Sequence, residues 1–274
     1  MSKMLKSVII LHLLFWGGFS NAQQLICPPV NEQGQLRIDS QAINILEQCI
    51  KQAPSTKSLF FNNKTQQYAA ARQQLHNKII DEIVKTSPCQ VQKPMAIFTG
   101  GFPGSGKSTY LQEKLPWVNS QNFIMIDPDA IRAKLPEYKG WNVESTQAEV
   151  RDIVLAILNR LGSPCRYNLV YDSSMTATDF YEEFFAKLKS MHYQIYIVYV
   201  KTPLSVAVAR AKERYLETGR YVSQAYLKHI EKNGRATFNT IKNDATGYIV
   251  VDGENFQTLE QVGKKFPTHP NVQN

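Results

Sequence analysis

The sequence contains no apolar stretch of the roughly 20 residues that a membrane helix needs. It has only four cysteines in 274 residues, Cys27, Cys49, Cys89 and Cys165, with no CxxC pair and no Cys/His spacing that would hold zinc. Internal repeats and low-complexity tracts are missing, which excludes solenoid and disordered classes. No sustained basic stripe is present, so a nucleic-acid partner is not expected. An N-K-x-D segment is also missing, which argues against a guanine-reading switch.

What is present belongs to a globular protein, with 43% hydrophobic and 11% aromatic residues. Lysine and arginine outnumber the acids 31 to 23, for a formal net charge of +8. The excess is scattered, and its densest group is Arg210, Lys212, Arg214 and Arg220. Such a balance suits solubility and, as function, an anionic ligand such as a nucleotide or sugar phosphate. At the N-terminus, Lys3 and Lys6 precede an apolar run from Val8 to Phe15, followed by the small-x-small triplet Ser20-Asn21-Ala22. These are the three parts of a secretory signal peptide over residues 1–22. Export to the periplasm or the medium, or delivery into another cell, is therefore expected, with no permanent membrane span once the leader is cleaved. An even cysteine count in an exported chain allows two disulfides in three pairings, with buried free thiols as the alternative.

Residues 23–93 read as a helical accessory region. Ser40 is placed to cap a helix whose apolar face is Ala42, Ile43, Leu46 and Ile50. A second helix is expected from Thr65 to Lys85, with Tyr68, Leu75, Ile79 and Ile83 on its stripe. Pro88 and Pro94 mark the boundary. Beyond it, short apolar runs at Ala96–Thr99, Phe123–Ile126, Asn168–Tyr171, Ile195–Val200 and Tyr248–Val251 alternate with amphipathic stretches of helical length. That alternation predicts an α/β domain over 94–274, a three-layer α/β/α sandwich around a mostly parallel sheet.

The sharpest signal is Gly101-Phe102-Pro103-Gly104-Ser105-Gly106-Lys107-Ser108, followed by Thr109, which fits the phosphate-binding pattern G-x-x-x-x-G-K-[ST]. Chance alone produces it in about one chain in a hundred of this length, given ordinary glycine usage. It also lies between an apolar run and a helix-compatible stretch, as a P-loop must. The glycines let successive amides face phosphate oxygens, and the helix that follows adds its positive end. Lys107 then reaches the β- and γ-phosphates of ATP, and the Ser108 hydroxyl ligates Mg²⁺.

Acids at the carboxyl ends of parallel strands fall beside such a loop. Asp127 is expected to cap the helix that Pro128 opens, and Asp129 to serve as catalytic base. Asp172 and Ser174, after the third strand, are candidates for substrate binding. Arg214 and Arg220 straddle the helix break at Gly219, as in a lid that closes on a transferring phosphoryl group. These residues together predict an ATP-dependent kinase. Alternatives are a nucleoside, polynucleotide 5′-hydroxyl or antibiotic kinase, or a nucleotide-binding regulatory module.

The loop TGGFPGSGKST, the segment IDPDAIRAKLPEY, the strand NLVYDSS and the lid ARAKERYLETGRY, in that order, resemble the zeta toxin family of kinases over Pro94 to Val251. The resemblance implies phosphorylation of the sugar 3′-hydroxyl of UDP-N-acetylglucosamine by ATP. It carries the family's base onto Asp129, its P-loop lysine onto Lys107, its metal-binding hydroxyl onto Ser108 and its lid arginines onto Arg214 and Arg220. It also implies restraint by an antitoxin, or here by residues 23–93 occluding the site. After the third strand the family's acid, hydroxyl residue and arginine are replaced by Asp172-Ser173-Ser174-Met175-Thr176. A substrate-binding glutamate of the family falls on Leu155, with Glu149 and Asp152 on nearby turns.

Overall fold

The computed structural model describes residues 25–85, 92–119, 123–161 and 166–266; the leader, Pro88, Cys89 and Cys165 lie outside them. The accessory region begins with α1 (Ser40–Gln52), α2 (Thr56–Phe60) and a hairpin of β1 (Phe61–Asn62) and β2 (Gln67–Tyr68), and ends with α3 (Ala70–Val84). Two boundaries differ from expectation. The cap of α1 is Asp39, whose carboxylate accepts the Ala42 N–H at 3.0 Å, so Ser40 is already helical. The second helix starts at Ala70 rather than Thr65, because Asn62 Oδ1 accepts the N–H groups of Lys64 and Thr65 and turns the chain into the hairpin. Tyr68 is therefore a strand residue, while Leu75, Ile79 and Ile83 keep the predicted stripe against the core. The Cys27–Cys49 disulfide ties the preceding coil to α1.

The catalytic-type region is built on β3 (Met95–Gly100), β4 (Phe123–Ile126), β5 (Asn168–Tyr171), β6 (Gln194–Lys201), β7 (Gly247–Asp252) and β8 (Thr258–Gly263). Their order is β4-β5-β3-β6-β7-β8, parallel throughout except for β8, which closes the edge antiparallel to β7. All five predicted apolar runs are strands; β8 was not anticipated. Alternation along each strand sends neighbours to opposite faces. On one side Phe98, Ile124, Leu169 and Ile197 pack under α6 (Val143–Asn159), α7 (Thr178–Ser190) and α9 (Gln224–Ile241), together with Ile79 and Ile80 of α3. On the other, Ile97, Val170, Val198 and Val251 meet Tyr110 and Leu111 of α4 (Lys107–Lys114). The result is the predicted three-layer α/β/α sandwich. Among the described residues no helix is long and apolar enough to cross a membrane.

The accessory region also grips α6 electrostatically. The Arg72 guanidinium donates to both oxygens of Glu149 (2.5 and 2.8 Å) and both of Glu137 (3.0 and 2.8 Å). His76 Nε2 lies 2.6 Å from Glu149, and Lys57 and the Tyr68 hydroxyl both reach Asp152. Burial by itself would raise the Glu149 carboxyl, but its hydrogen bonds from Arg72 and His76 outweigh that and hold it at about 2, against an ordinary value of 4.5. A depressed carboxyl stabilises the fold above its unfolded-state range and loses that contribution as protons bind. Denaturant titrations should therefore show stability falling between about pH 4.5 and 2, by on the order of 3 kcal/mol from this group, and a Glu149→Gln protein should lack that component of the slope.

Candidate phosphoryl-transfer site

The loop between β3 and α4 turns through three glycines in the left-handed region, Gly101 (φ 125°), Gly104 (φ 78°) and Gly106 (φ 94°). A Cβ on Gly101 would lie 2.3 Å from the Val200 carbonyl, so only glycine lets the loop lie so close to β6. Gly106 is the N-cap of α4 and offers no side chain to its first-turn amides, which remain available to an anion. Lys107 Nζ donates to the Gly101 and Phe102 carbonyls at 3.2 and 2.8 Å, so the lysine lies along its own loop. Burial pushes its ammonium below the usual lysine range; Arg214 and Arg220 push the same way, against Asp172 and Asp127.

Above the loop opens a cavity of about 760 Å³. It is lined on the loop side by Pro103, Gly104, Gly106 to Thr109, Arg210, Gly253 and Phe256, and elsewhere by Asp129, Gln147, Arg151, Tyr171, Phe180 and Tyr226. Asp127 caps α5 (Pro128–Arg132) by accepting the Asp129 N–H at 2.8 Å, as anticipated. Burial, reinforced by nearby Asp172, raises its carboxyl. Asp172 accepts from the Thr99 hydroxyl at 2.5 Å and the Ser108 hydroxyl at 3.1 Å. It therefore sits beside the metal-ligating candidate and also lines the cavity. Ser174 accepts from the Tyr226 hydroxyl at 3.3 Å and lines the cavity.

Asp129 is ion-paired to Arg132 and to Arg220. Arg132 is almost wholly buried and also donates to Thr146 (2.9 Å) and Gln147 (2.6 Å), which fixes the carboxylate against α6. Arg214 comes from α8 (Leu204–Thr218), and Arg220 follows the left-handed Gly219 that ends it. The buried Nε and Nη2 of Arg214 and the buried Nε of Arg220 have no hydrogen-bond partner. Unpaired guanidinium donors are costly unless an anion meets them, so this pair fits the phosphates of a nucleotide. Beside the loop the Ser108 hydroxyl and the Asp172 carboxylate it donates to form a sparse oxygen donor set, of the kind that would suit Mg²⁺.

Arg210 does not join the other two arginines. It donates to the carbonyls of Gly104 and Gly253, bracing the loop at the cavity's edge. Glu149 and Asp152 face the accessory region, so neither stands in for the glutamate displaced by half-exposed Leu155. None of the lining residues comes from 25–85; that region lies behind the walls and does not plug the cavity, contrary to the occluding role considered for it. Reasoning along the sequence missed Thr99 and Arg132, and it placed Arg210 in the basic group without its bonds to the loop. The spacing of Arg132 three residues after Asp129 was the one local clue.

A family model described as Zeta toxin matches residues 79–259. No curated protein matches the chain. Among solved structures, one from the PezAT chromosomal toxin–antitoxin system of Streptococcus pneumoniae is similar at 19% identity and TM-score 0.55, covering 72% of this chain and 83% of that one. The AvrRxo1-ORF1:-ORF2 structure with ATP is similar at 13% identity and TM-score 0.61, covering 81% and 84%.

Proposed function

The chain belongs to the zeta toxin family, and from that premise we propose that it is an exported kinase transferring the γ-phosphoryl group of ATP to a hydroxyl of UDP-N-acetylglucosamine or a related UDP-sugar. The observation that carries the reading is the convergence of Lys107, Arg214, Arg220 and Asp129 on one cavity, with Nε and Nη2 of Arg214 and Nε of Arg220 still lacking a partner. Three cations around a glycine-lined loop suit an in-flight phosphoryl group, and a carboxylate beside them suits an acceptor proton.

Without nucleotide, Arg220 neutralises Asp129. In the proposed cycle Arg220 exchanges the carboxylate for phosphate charge, leaving Asp129 held by Arg132 and free to accept the hydroxyl proton. Lys107 releases its two loop carbonyls in the same way. Ser108, whose hydroxyl donates to Asp172, would hold Mg²⁺, which when bound would supply charge neutralisation. The aromatic walls Tyr171 and Phe180 offer a face for a flat base, which supports a nucleotide-linked sugar and, as a second reading, a nucleoside. The leader signature supports export, and the PezAT likeness supports an antitoxin partner.

Incubating the leaderless protein with ATP, Mg²⁺ and a panel of UDP-sugars and nucleosides, then reading products by mass, tests the proposal. One acceptor should gain one phosphoryl group, and Lys107→Ala should abolish the gain. Phosphorylated nucleosides with untouched UDP-sugars would select the second reading, and ATP binding with no product at all would leave only a binding module.

A further inference from the structure

Of the two lid arginines, Arg214 lies on α8 and Arg220 on the short segment Gly219 to Ser223 between α8 and α9. A polar anchor for that segment comes from far away in sequence. Glu47 Oε1, on α1, accepts the Tyr221 hydroxyl at 2.9 Å and the Gln224 N–H at 3.0 Å. Gln224 is the first residue of α9, so its amide has no acceptor within the helix; Glu47 supplies one, and places negative charge at the positive helix end. Ser223 caps the same turn by accepting the Tyr226 N–H at 3.1 Å.

Around this anchor, Leu46 of α1 forms a small buried cluster with Tyr215 and Tyr221, closed by Leu36, Ile38, Ile50 and Trp141. Tyr215 and Tyr221 flank the two arginines, each next to one of them in sequence. Their rings meet edge to face with centroids 5.5 Å apart. The Cys27–Cys49 disulfide fastens α1 two residues beyond Glu47. The α1 side of this contact lies outside the residues 79–259 that carry the family match.

We propose that Glu47 is a positioning residue for the lid, holding Tyr221 and the start of α9 so that Arg214 and Arg220 point into the cavity. This inference rests on the kinase reading for its effect on rate, but not for its effect on structure. A carboxylate bridging a hydroxyl and a helix amide ties the middle of this segment and the start of α9 to α1, adding a polar anchor to the packing of Tyr221 in its buried cluster.

Hydrogen exchange by mass spectrometry on the full chain without nucleotide tests the brace directly. Glu47→Ala should speed exchange of the amides at 219–226 by roughly tenfold while leaving β3 and β6 unchanged. Glu47→Gln should behave as the parent, because an amide oxygen can accept both bonds. Tyr221→Phe, which removes one of the two bonds, should fall between and serves if Glu47→Ala folds poorly. Exchange at 219–226 no faster in Glu47→Ala and Tyr221→Phe would overturn the proposal. Phosphoryl transfer gives the second readout. Glu47→Ala should lower kcat roughly tenfold in the parent but less than about twofold in an Arg220→Ala background, because Arg220 is the arginine carried by the anchored segment and its removal takes away most of what the brace positions. Equal losses in both backgrounds would mark Glu47 as a general stabiliser and overturn its positioning role. Faster exchange with unchanged kcat would leave the brace standing and overturn the part assigned to the lid in the reaction.

Discussion

Replacing Asp129 with asparagine should lower kcat for phosphoryl transfer by about a hundred- to ten-thousand-fold while leaving ATP binding no weaker than in the parent. The rate loss follows from removing the carboxylate that lines the acceptor end and that Arg132 fixes from behind. The retained affinity follows from the ion pair to Arg220, which a neutral amide in place of the carboxylate can no longer form. An arginine freed from its carboxylate has less to give up when a phosphate arrives. Calorimetric titration with ATP and a coupled assay measure the two quantities separately. Normal turnover by Asp129→Asn would remove its role as base, and a large loss of ATP affinity would contradict the exchange of partners by Arg220.

Removing the Arg72 side chain should be the most damaging change outside the site, costing about 3–5 kcal/mol. Arg72 is 6% exposed and Glu149 is fully buried, so Arg72→Ala leaves a desolvated carboxylate with His76 as its remaining ionisable partner. It also strips the guanidinium from its place 4.2 Å over the Phe60 ring. Chemical denaturation measures the loss. A double variant, Arg72→Met with Glu149→Gln, should recover much of it, because the penalty lies in the orphaned charge rather than in the absent bond. A loss below about 1 kcal/mol for Arg72→Ala would show that the carboxylate finds water or other donors. The effect should extend to function, since α6 turns Gln147, Val150 and Arg151 toward the acceptor end of the cavity.

How much of this was legible in the sequence depends on distance along the chain. The phosphate loop, the Asp127 cap with Pro128 after it, the five core strands and the break at Gly219 are local patterns, and each stands where the pattern put it. Strand β8 was invisible because five of its six residues are exposed and Thr-Leu-Glu-Gln-Val-Gly carries no apolar run. The start of α3 was misplaced because helix periodicity does not register the Asn62 side chain turning the backbone. The electrostatic pairings escaped altogether. Arg72 with Glu149, Glu47 with Tyr221 and Ser108 with Asp172 are separated by 64 to 174 residues, and each is decided by how elements pack. The same reason explains why Arg210 and Arg214, one turn apart on α8 and both lining the cavity, differ: the first is spent on the carbonyls of Gly104 and Gly253, and the second keeps Nε and Nη2 without a partner.

The loop that follows Tyr138 meets the lid backbone to backbone. A methyl group built on Gly140 would stand 2.5 Å from the Gly219 carbonyl, and both glycines have positive φ. No side chain cushions that seam, so the two segments cannot slide past each other without one of them rebuilding its fold. The stretch that carries Arg220 is thus pinned at its start to a loop that is not part of the cavity wall, so a bulkier residue at position 140 would shift that arginine from a distance.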